Sequence, residues 1–317
     1  MSASPPPRIA RGQTLGIVAP AGPVKLDALR RGLARLGDAF RLKLAPSLEA
    51  REPNPSTGEA PREPGVASYL AASDDTRAAE LNAMLADRDV RAILLARGGY
   101  GIMRILPKLD VAALRADPKP IVGFSDATAL LAWAHAAGVR GIHGPMGIQM
   151  ERLSDADIAH LIALLSEPRA PGVRPWQLAA HGRGSYRGPL YAANLTMLSV
   201  LAGTPWALPL RGAIALVEEV GERPYEIDRY LTHLLLAGEL SKVAAMIVGD
   251  LTRCEDRDYP DLALDTVLER LHAAGTPAAA GAPIGHGDRN EAVSFGASSV
   301  LDLDAGTFEI LDAAVSA

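Results

Sequence analysis

The sequence predicts an α/β protein of two domains, and three observations carry that prediction. Through the first half, short apolar runs alternate with amphipathic runs, the pattern of a mostly parallel sheet covered on both faces. Between Pro168 and Pro189 the pattern gives way to a stretch rich in Pro, Gly and Arg without sustained periodicity. A second alternating series follows, and its closing strands are joined by short Gly-containing turns, which predicts a more mixed sheet. At 317 residues the chain suits two domains of about 100–200 residues each. Its 48% apolar and 22% charged residues supply a buried core and a polar surface.

Taken in order, Leu15–Ala19 reads as a strand and Lys25–Phe40 as a helix with Leu26, Leu29, Leu33 and Leu36 on one face. The proline-rich stretch Pro53–Pro64 cannot hold regular structure and is expected to be a mobile surface loop. Ser73 caps a helix whose first turn carries Asp74 and Asp75, both favourable near a positive helix end, and which runs to about Ala86. A strand at Ala92–Ala96, the turn Arg97–Gly101, a helix, a strand at Pro120–Phe124, a helix over Asp126–Ala137 and a short strand at Val139–His143 complete a first domain, residues 1–150. Residues 151–188 are expected to be a connecting helix, Ser154–Leu165, and a linker. The second domain, 189–317, holds the helix Asn194–Leu201, the strand Ala213–Val217, the helix Glu226–Leu236, the strand Val243–Val248 and the helix Leu262–Ala274. Strands at Ala278–Ile284, Ala292–Phe295 and Ser299–Leu303 close it.

A net charge of −5 gives no long-range attraction to phosphate backbones or anionic lipid, so no nucleic-acid partner is expected. Met1–Arg11 is proline-rich and lacks the apolar core of an export signal. No apolar run approaches the ~20 residues of a membrane span. The single cysteine, Cys254, permits no internal disulfide and fits a reducing compartment, so the expected location is the cytoplasm. The seven histidines include no His-x-x-x-His pair and no Cys/His cluster, and no metal site is expected.

Chemistry fits three places. In Pro120-Ile-Val-Gly-Phe-Ser125-Asp-Ala-Thr-Ala-Leu-Leu a hydrophobic strand runs into Ser125 and a helix starts at once. A serine on such a turn projects its hydroxyl from the carboxyl edge of the sheet, and the N–H after it, that of Asp126, is aimed at a developing oxyanion. Gly123 and Ala127 flank it with little bulk, close to Gly-x-Ser-x-Gly but departing at Ala127. The same spacing equally suits a serine that merely caps the helix. In Ile93-Leu-Leu-Ala-Arg97-Gly-Gly-Tyr-Gly101 a strand enters a glycine turn whose backbone can approach a ligand closely and aim N–H groups at negative charge, unless it is a plain tight turn. It is neither a dinucleotide fingerprint nor a P-loop.

The third place is split along the chain. Glu218-Glu219 ends the strand Ala213–Val217, and His286 sits between glycines in Pro283-Ile-Gly-His-Gly-Asp288. A hydroxyl nucleophile needs a base, and the base needs a third group to fix its tautomer. Singly, Glu218 also reads as a solvated strand end and His286 as a turn residue. Trp176 and Trp206 read as packing residues, and Cys254 as a surface or half-buried thiol.

Read together, the segments resemble the L,D-carboxypeptidase family, the muramoyltetrapeptide carboxypeptidases, which includes the microcin-immunity peptidases. The resemblance rests on Gly16-Ile-Val-Ala-Pro20, Arg97-Gly-Gly-Tyr-Gly101, Gly123-Phe-Ser-Asp126, His143-Gly-Pro145, Asn194-Leu195, Glu218-Glu-Val-Gly-Glu-Arg-Pro-Tyr-Glu-Ile-Asp-Arg229 and Pro283-Ile-Gly-His-Gly287, in the family's order. It implies a flavodoxin-like or Rossmann-like N-terminal sheet with a nucleophile elbow and a smaller mixed α/β C-terminal domain. It implies a cofactor-free cytoplasmic serine peptidase of cell-wall recycling, acting on a small muropeptide tetrapeptide and plausible as a homodimer. The bond cut lies between an L-configured centre, on lysine or diaminopimelate, and a terminal D-alanine. The family's serine maps onto Ser125, its histidine onto His286 and its glutamate onto Glu218, with Glu219 an adjacent competitor. The nucleophile would come from one domain and its partners from the other. Backbone N–H groups of Asp126 and of Gly98 and Gly99 would receive the oxyanion.

Two rivals stand beside this reading. A microcin-immunity-type peptidase would hydrolyse a peptidyl-nucleotide amide with the same residues, although Glu222-Arg-Pro-Tyr-Glu-Ile-Asp-Arg229 looks more like the recycling enzymes. A non-catalytic nucleotide- or sugar-binding protein would use the glycine turns for binding that survives Ser125→Ala. A glutamine amidotransferase relative would need cysteine at the elbow, and Cys254 follows no such pattern.

Overall fold

A computed structural model of the chain describes residues 3–49, 57–59, 65–258 and 262–317. The expected Pro53–Pro64 loop lies outside the described residues except at 57–59, where Glu59 forms an antiparallel bridge with Lys25. The chain divides into two compact units. The first is Met1–Arg169 with Glu291–Val293 and Ala314–Ala317; the second is Ala170–Asn290 with Ser294–Ala313. No helix among the described residues is long and apolar enough to cross a membrane.

In chain order the first unit holds β1 (Thr14–Val18), α1 (Leu26–Ala34), β2 (Arg41–Leu44), α2 (Asp74–Ala86), β3 (Val90–Leu95), α3 (Ile102–Ile105), α4 (Val111–Ala116), β4 (Ile121–Gly123), α5 (Thr128–Ala136), β5 (Ile142–His143) and α6 (Asp155–Ser166). Its strands pair in parallel in the order β5-β4-β3-β1-β2, with a two-residue strand from far along the chain, Val293–Ser294, at the edge beside β5. Connections leave β1 toward β2 on one side and resume at β3 on the other. The order therefore reverses between β1 and β3, and at such a switch point the loops past the carboxyl ends of the strands open a crevice. Leu26, Leu29 and Leu33 of α1 share one core with Leu15 and Ile17 of β1 and with Ile158, Leu161 and Leu165 of α6.

Several element bounds differ from the sequence reading for identifiable reasons. The leucine stripe after Lys25 forms a helix, but α1 stops at Ala34; Arg35 and Leu36 tighten into short-range turns and Gly37 takes φ +53°, which side-chain-bearing residues resist. The edge strand β2 went unread because its Arg-Leu-Lys-Leu alternates over only four residues, and those are almost wholly exposed. The single helix expected after Gly101 breaks at Pro107 into α3 and α4, the second capped by the Asp110 carboxylate on the Ala113 N–H at 2.9 Å. Helix α5 is buried on every side from Thr128 to His135.

The second unit holds β6 (Gly172–Arg174), β7 (Ala179–His181), β8 (Ser185–Asn194), α7 (Leu195–Leu201), β9 (Ile214–Val220), α8 (Pro224–Leu236), β10 (Ala245–Thr252), α9 (Leu262–Ala273) and β11 (Ala278–Ala280). After β12, the Val293–Ser294 strand already described, come β13 (Ser298–Asp302) and β14 (Thr307–Ile310). Its eight strands run β6-β14-β13-β8-β9-β10-β11-β7, with β8 through β11 parallel and the flanking pairs antiparallel, the mixed sheet the sequence predicted.

Two expectations need correction. The Pro168–Pro189 stretch is not a structureless linker: it supplies β6, β7 and the first half of β8, whose short, exposed, Gly-broken edges carry no readable alternation. The strand expected at Ala292–Phe295 does not close the second sheet. It joins the first, where Ala292 packs so closely on Gly144 that a Cβ at 144 would lie 2.8 Å from the alanine methyl.

Candidate active site

In the first unit the turn at Ser125 follows from the way β4 ends. Phe124 is still extended, at φ −149° and ψ −172°, and the chain then reverses at Ser125 with φ +61° before a short 3-10 turn, Ser125–Ala127, feeds α5. A helix-capping serine sits in the extended region and binds an N–H with its side chain. Ser125 instead is left-handed, and the cap position of the short turn belongs to Phe124. A left-handed non-glycine residue is strained, and such strain persists where surrounding structure imposes it. The flanking small residues make the bend possible, since a Cβ on Gly123 would lie 2.7 Å from the Ala127 methyl. Alanine at the last place of the pattern is thus tolerated because glycine holds the first.

Across from this turn lies the glycine loop after β3. Gly98 is buried, and a Cβ there would lie 3.2 Å from the Ser125 Cβ and 3.3 Å from its hydroxyl oxygen. The Gly98 carbonyl accepts from the Gly22 N–H at 3.0 Å, joining the two loops that flank the switch point. Gly99 and Gly101 take φ +115° and +121°, where an L side chain is rarely found. Asp126 is 3% exposed and its carboxylate accepts the Ile102 N–H at 3.0 Å. Burial pushes its pKa up to about 6, against the opposing pull of that hydrogen bond and of Arg77.

The folded state therefore holds the Asp126 proton more tightly than the unfolded chain. This group costs the fold stability above about pH 6, and the cost fades as pH falls toward 4. Asp126→Asn is expected to raise the Tm at pH 7.5 relative to wild type and to give no advantage at pH 4. Paired thermal melts across that range check it, and a difference independent of pH would contradict it.

In the second unit a carboxylate and an imidazole meet. Glu218 lies inside β9, one turn of the pleat further along the strand than the sequence reading ended it, and is wholly buried. Its Oε2 lies 2.6 Å from His286 Nδ1. Side chains alternate across a strand, so Glu219 points the other way. There its carboxylate takes the Asn194 amide at 2.8 Å, the Val220 N–H at 2.8 Å, and the Thr196 N–H and hydroxyl at 2.8 and 2.7 Å, which anchors the start of α7. Burial pushes the Glu219 pKa up, with those hydrogen bonds opposing.

The loop bearing His286 is built to one shape. Strand β10 carries a bulge between Val248 and Leu251, and the Asp250 N–H there donates to the Ile284 carbonyl at 2.8 Å. The Asp250 carboxylate accepts the Gly287 N–H at 3.2 Å, and buried Asn290 accepts from the Gly285 N–H at 3.3 Å. Gly285 takes φ +143°, and a Cβ there would stand 2.9 Å from the Asp250 Cβ and 3.3 Å from Glu218 Oε2. Glycines on both sides of His286 thus let the ring approach the carboxylate.

The structure places Ser125, Gly98, Gly99 and Asp126 together in the first unit and Glu218 with His286 in the second. Sequence reasoning missed Asp250, Asn290 and Arg77. The Gly249-Asp250 pair at a strand end was a usable signal for the first; Arg77, a charged residue on α2, is 1% exposed, and no spacing in the sequence marks that burial. Cys254 is 1% exposed rather than half-buried, and burial pushes its thiol up to about 12, so it holds no thiolate near neutrality. Trp176 stacks on Phe308 with ring centroids 5.1 Å apart, a packing role.

Comparison with known proteins shows the family and the fold. Residues 15–144 match the LD-carboxypeptidase N-terminal domain and residues 187–301 the LD-carboxypeptidase C-terminal domain. A Streptomyces coelicolor chain assigned by name to the carboxypeptidases is 37% identical, over 96% of this chain and 95% of its own length. A Bacillus subtilis relative named for murein peptide carboxypeptidase activity is 32% identical, over 98% and 95%. Among solved structures, muramoyltetrapeptide carboxypeptidase from Oxalobacter formigenes superposes with a TM-score of 0.79 at 25% identity, covering 96% of this chain and 100% of that one. The microcin C7 self-immunity protein MccF in its wild-type apo state has a TM-score of 0.83 at 22% identity, covering 99% and 100%, and shares the fold. The chain belongs to the LD-carboxypeptidase family.

Proposed function

We propose that the protein is a serine carboxypeptidase that hydrolyses the L,D-amide bond of murein tetrapeptides and releases the terminal D-alanine. The observation that carries the reading is the 2.6 Å contact between His286 Nδ1 and a carboxylate with no solvent exposure. Such a partner takes the Nδ1–H, so the lone pair of the neutral ring resides on Nε2, the nitrogen a general base uses. Ser125 supports it from the other unit, as a hydroxyl on a left-handed strand-to-helix turn.

In this mechanism His286 removes the Ser125 proton as the hydroxyl attacks the amide carbonyl, and the N–H groups of Asp126, Gly98 and Gly99 receive the oxyanion. The imidazolium then protonates the departing D-alanine amine, leaving an acyl-enzyme on Ser125. Water, deprotonated by the same imidazole, hydrolyses that ester and frees the tripeptide. Glu218 holds the ring and stabilises its charged form. The reading carries with it a cytoplasmic enzyme of murein recycling working as a homodimer; the single buried cysteine fits a reducing compartment.

Incubation with L-Ala-γ-D-Glu-meso-diaminopimelate-D-Ala is expected to yield free D-alanine and the tripeptide, with burst kinetics if deacylation limits turnover. An aminoacyl-sulfamoyl adenylate offered in competition separates the rival peptidase reading. Preferential hydrolysis of the adenylate, or no D-alanine from either lysine- or diaminopimelate-containing tetrapeptide, would overturn the murein assignment.

A further inference from the structure

We infer that the side chain of Asp126 is a positioning element of the reaction, holding the Gly98–Gly101 turn in register with Ser125. The inference rests on the proposed function, which assigns to Asp126 a backbone N–H and nothing more. The turn has little stiffness of its own, because Gly99 and Gly101 occupy regions open chiefly to glycine. Its geometry therefore depends on ties from outside, and three hydrogen bonds among the described residues hold its backbone. The Gly22 N–H holds the Gly98 carbonyl at 3.0 Å, and Arg77 Nη1 holds the Gly101 carbonyl at 3.0 Å. The third is the Asp126 carboxylate on the Ile102 N–H at 3.0 Å.

The three ties differ in what they anchor to. Arg77 rides on α2 and also donates to the Ala72 and Pro20 carbonyls while pairing with Asp74, so it clamps the turn to the helix and to the loop after β1. Only the Asp126 bond, of these three, fixes the turn to the residue next to the nucleophile. It therefore sets the spacing between Ser125 and the Gly98 and Gly99 N–H groups. The bond is buried, so removing the carboxylate strands the Ile102 N–H without an acceptor, and the loop will shift to find one. A displacement of about 1 Å between reacting groups can cost on the order of 10²-fold in rate. What the site requires is an acceptor at this position, and an asparagine oxygen supplies it.

The test measures D-alanine release together with affinity for a peptidyl boronic acid, which forms a tetrahedral adduct on a serine and uses the oxyanion donors. Asp126→Ala is expected to lower kcat by roughly 10- to 100-fold, with KM within about two-fold of wild type, and to weaken the boronate by a matching factor. Asp126→Asn is expected to stay within about three-fold of wild type on both measures. A purely structural role would move the Tm and leave both ratios alone. Should Asp126→Ala fail to fold, Asp126→Leu, which keeps buried volume without an acceptor, carries the same expectation. A folded Asp126→Ala or Asp126→Leu protein that binds boronate and turns over like wild type overturns the inference alone. A folded Asp126→Asn protein as impaired as Asp126→Ala also overturns it. Absence of any boronate adduct or hydrolysis with wild type overturns the proposed function as well.

Discussion

Ser125→Ala is expected to give a folded protein whose D-alanine release falls by roughly four to six orders of magnitude. The hydroxyl is the atom that becomes covalently bound, and the chain's single cysteine, Cys254, is buried with its thiol held protonated. Affinity for the tetrapeptide is expected to change little, because the methyl of alanine leaves the turn and its N–H groups in place. Ser125→Gly separates chemistry from strain. An L residue in the left-handed region costs about 1–2 kcal/mol and glycine does not, while glycine gains about 0.5–1 kcal/mol of unfolded-state freedom. The glycine variant should be as inactive as alanine yet slightly more stable than it in denaturant unfolding. Retention of a tenth of wild-type activity by Ser125→Ala would move the nucleophile elsewhere, and a glycine variant less stable than alanine would deny that the turn is strained.

That strain marks the limit of what the residues alone disclose. Gly123-Phe-Ser-Asp-Ala127 gave the strand, the helix and the small neighbours, but a capping serine and a nucleophile share that spacing. They part only in φ, which the burial of α5 and the close packing of Gly123 on Ala127 impose together. The cores of α1 and α6 were legible because one face of each is apolar, and β3 because its apolar run is buried on both faces. The strands β2, β6 and β7 were not, because edge strands with exposed, charged or Gly-interrupted residues pair through backbone and need no hydrophobic period. Likewise the choice between Glu218 and Glu219 is a question of pleat. Adjacent identical residues carry no compositional difference, and only the folded chain's hydrogen bonds, Asn194 and Thr196 to Glu219 and His286 to Glu218, separate the carboxylate that anchors α7 from the one that meets the imidazole.

Glu218→Gln is the second large effect, expected to cut kcat by about 10⁴-fold with KM nearly unchanged. The substitution keeps size and burial, so the defect is one of proton placement. An amide can meet His286 Nδ1 through its NH2 as donor, which forces Nδ1 to accept and puts the ring proton on Nε2. That tautomer cannot take a proton from a serine hydroxyl. The amide also lacks the charge that favours the imidazolium in the transition state, and Glu218, at no solvent exposure, has no water to substitute for it. Glu219→Gln provides the contrast. Its carboxylate accepts four hydrogen bonds from donors alone, so one amide NH2 would face a donor and the start of α7 would loosen. The expected result is a loss of about 1–3 kcal/mol in unfolding free energy with kcat reduced far less than in the Glu218 variant. Steady-state kinetics and denaturant melts on the two isosteric variants separate the roles, and equal losses of kcat in both would show that the carboxylate serving His286 is not uniquely Glu218.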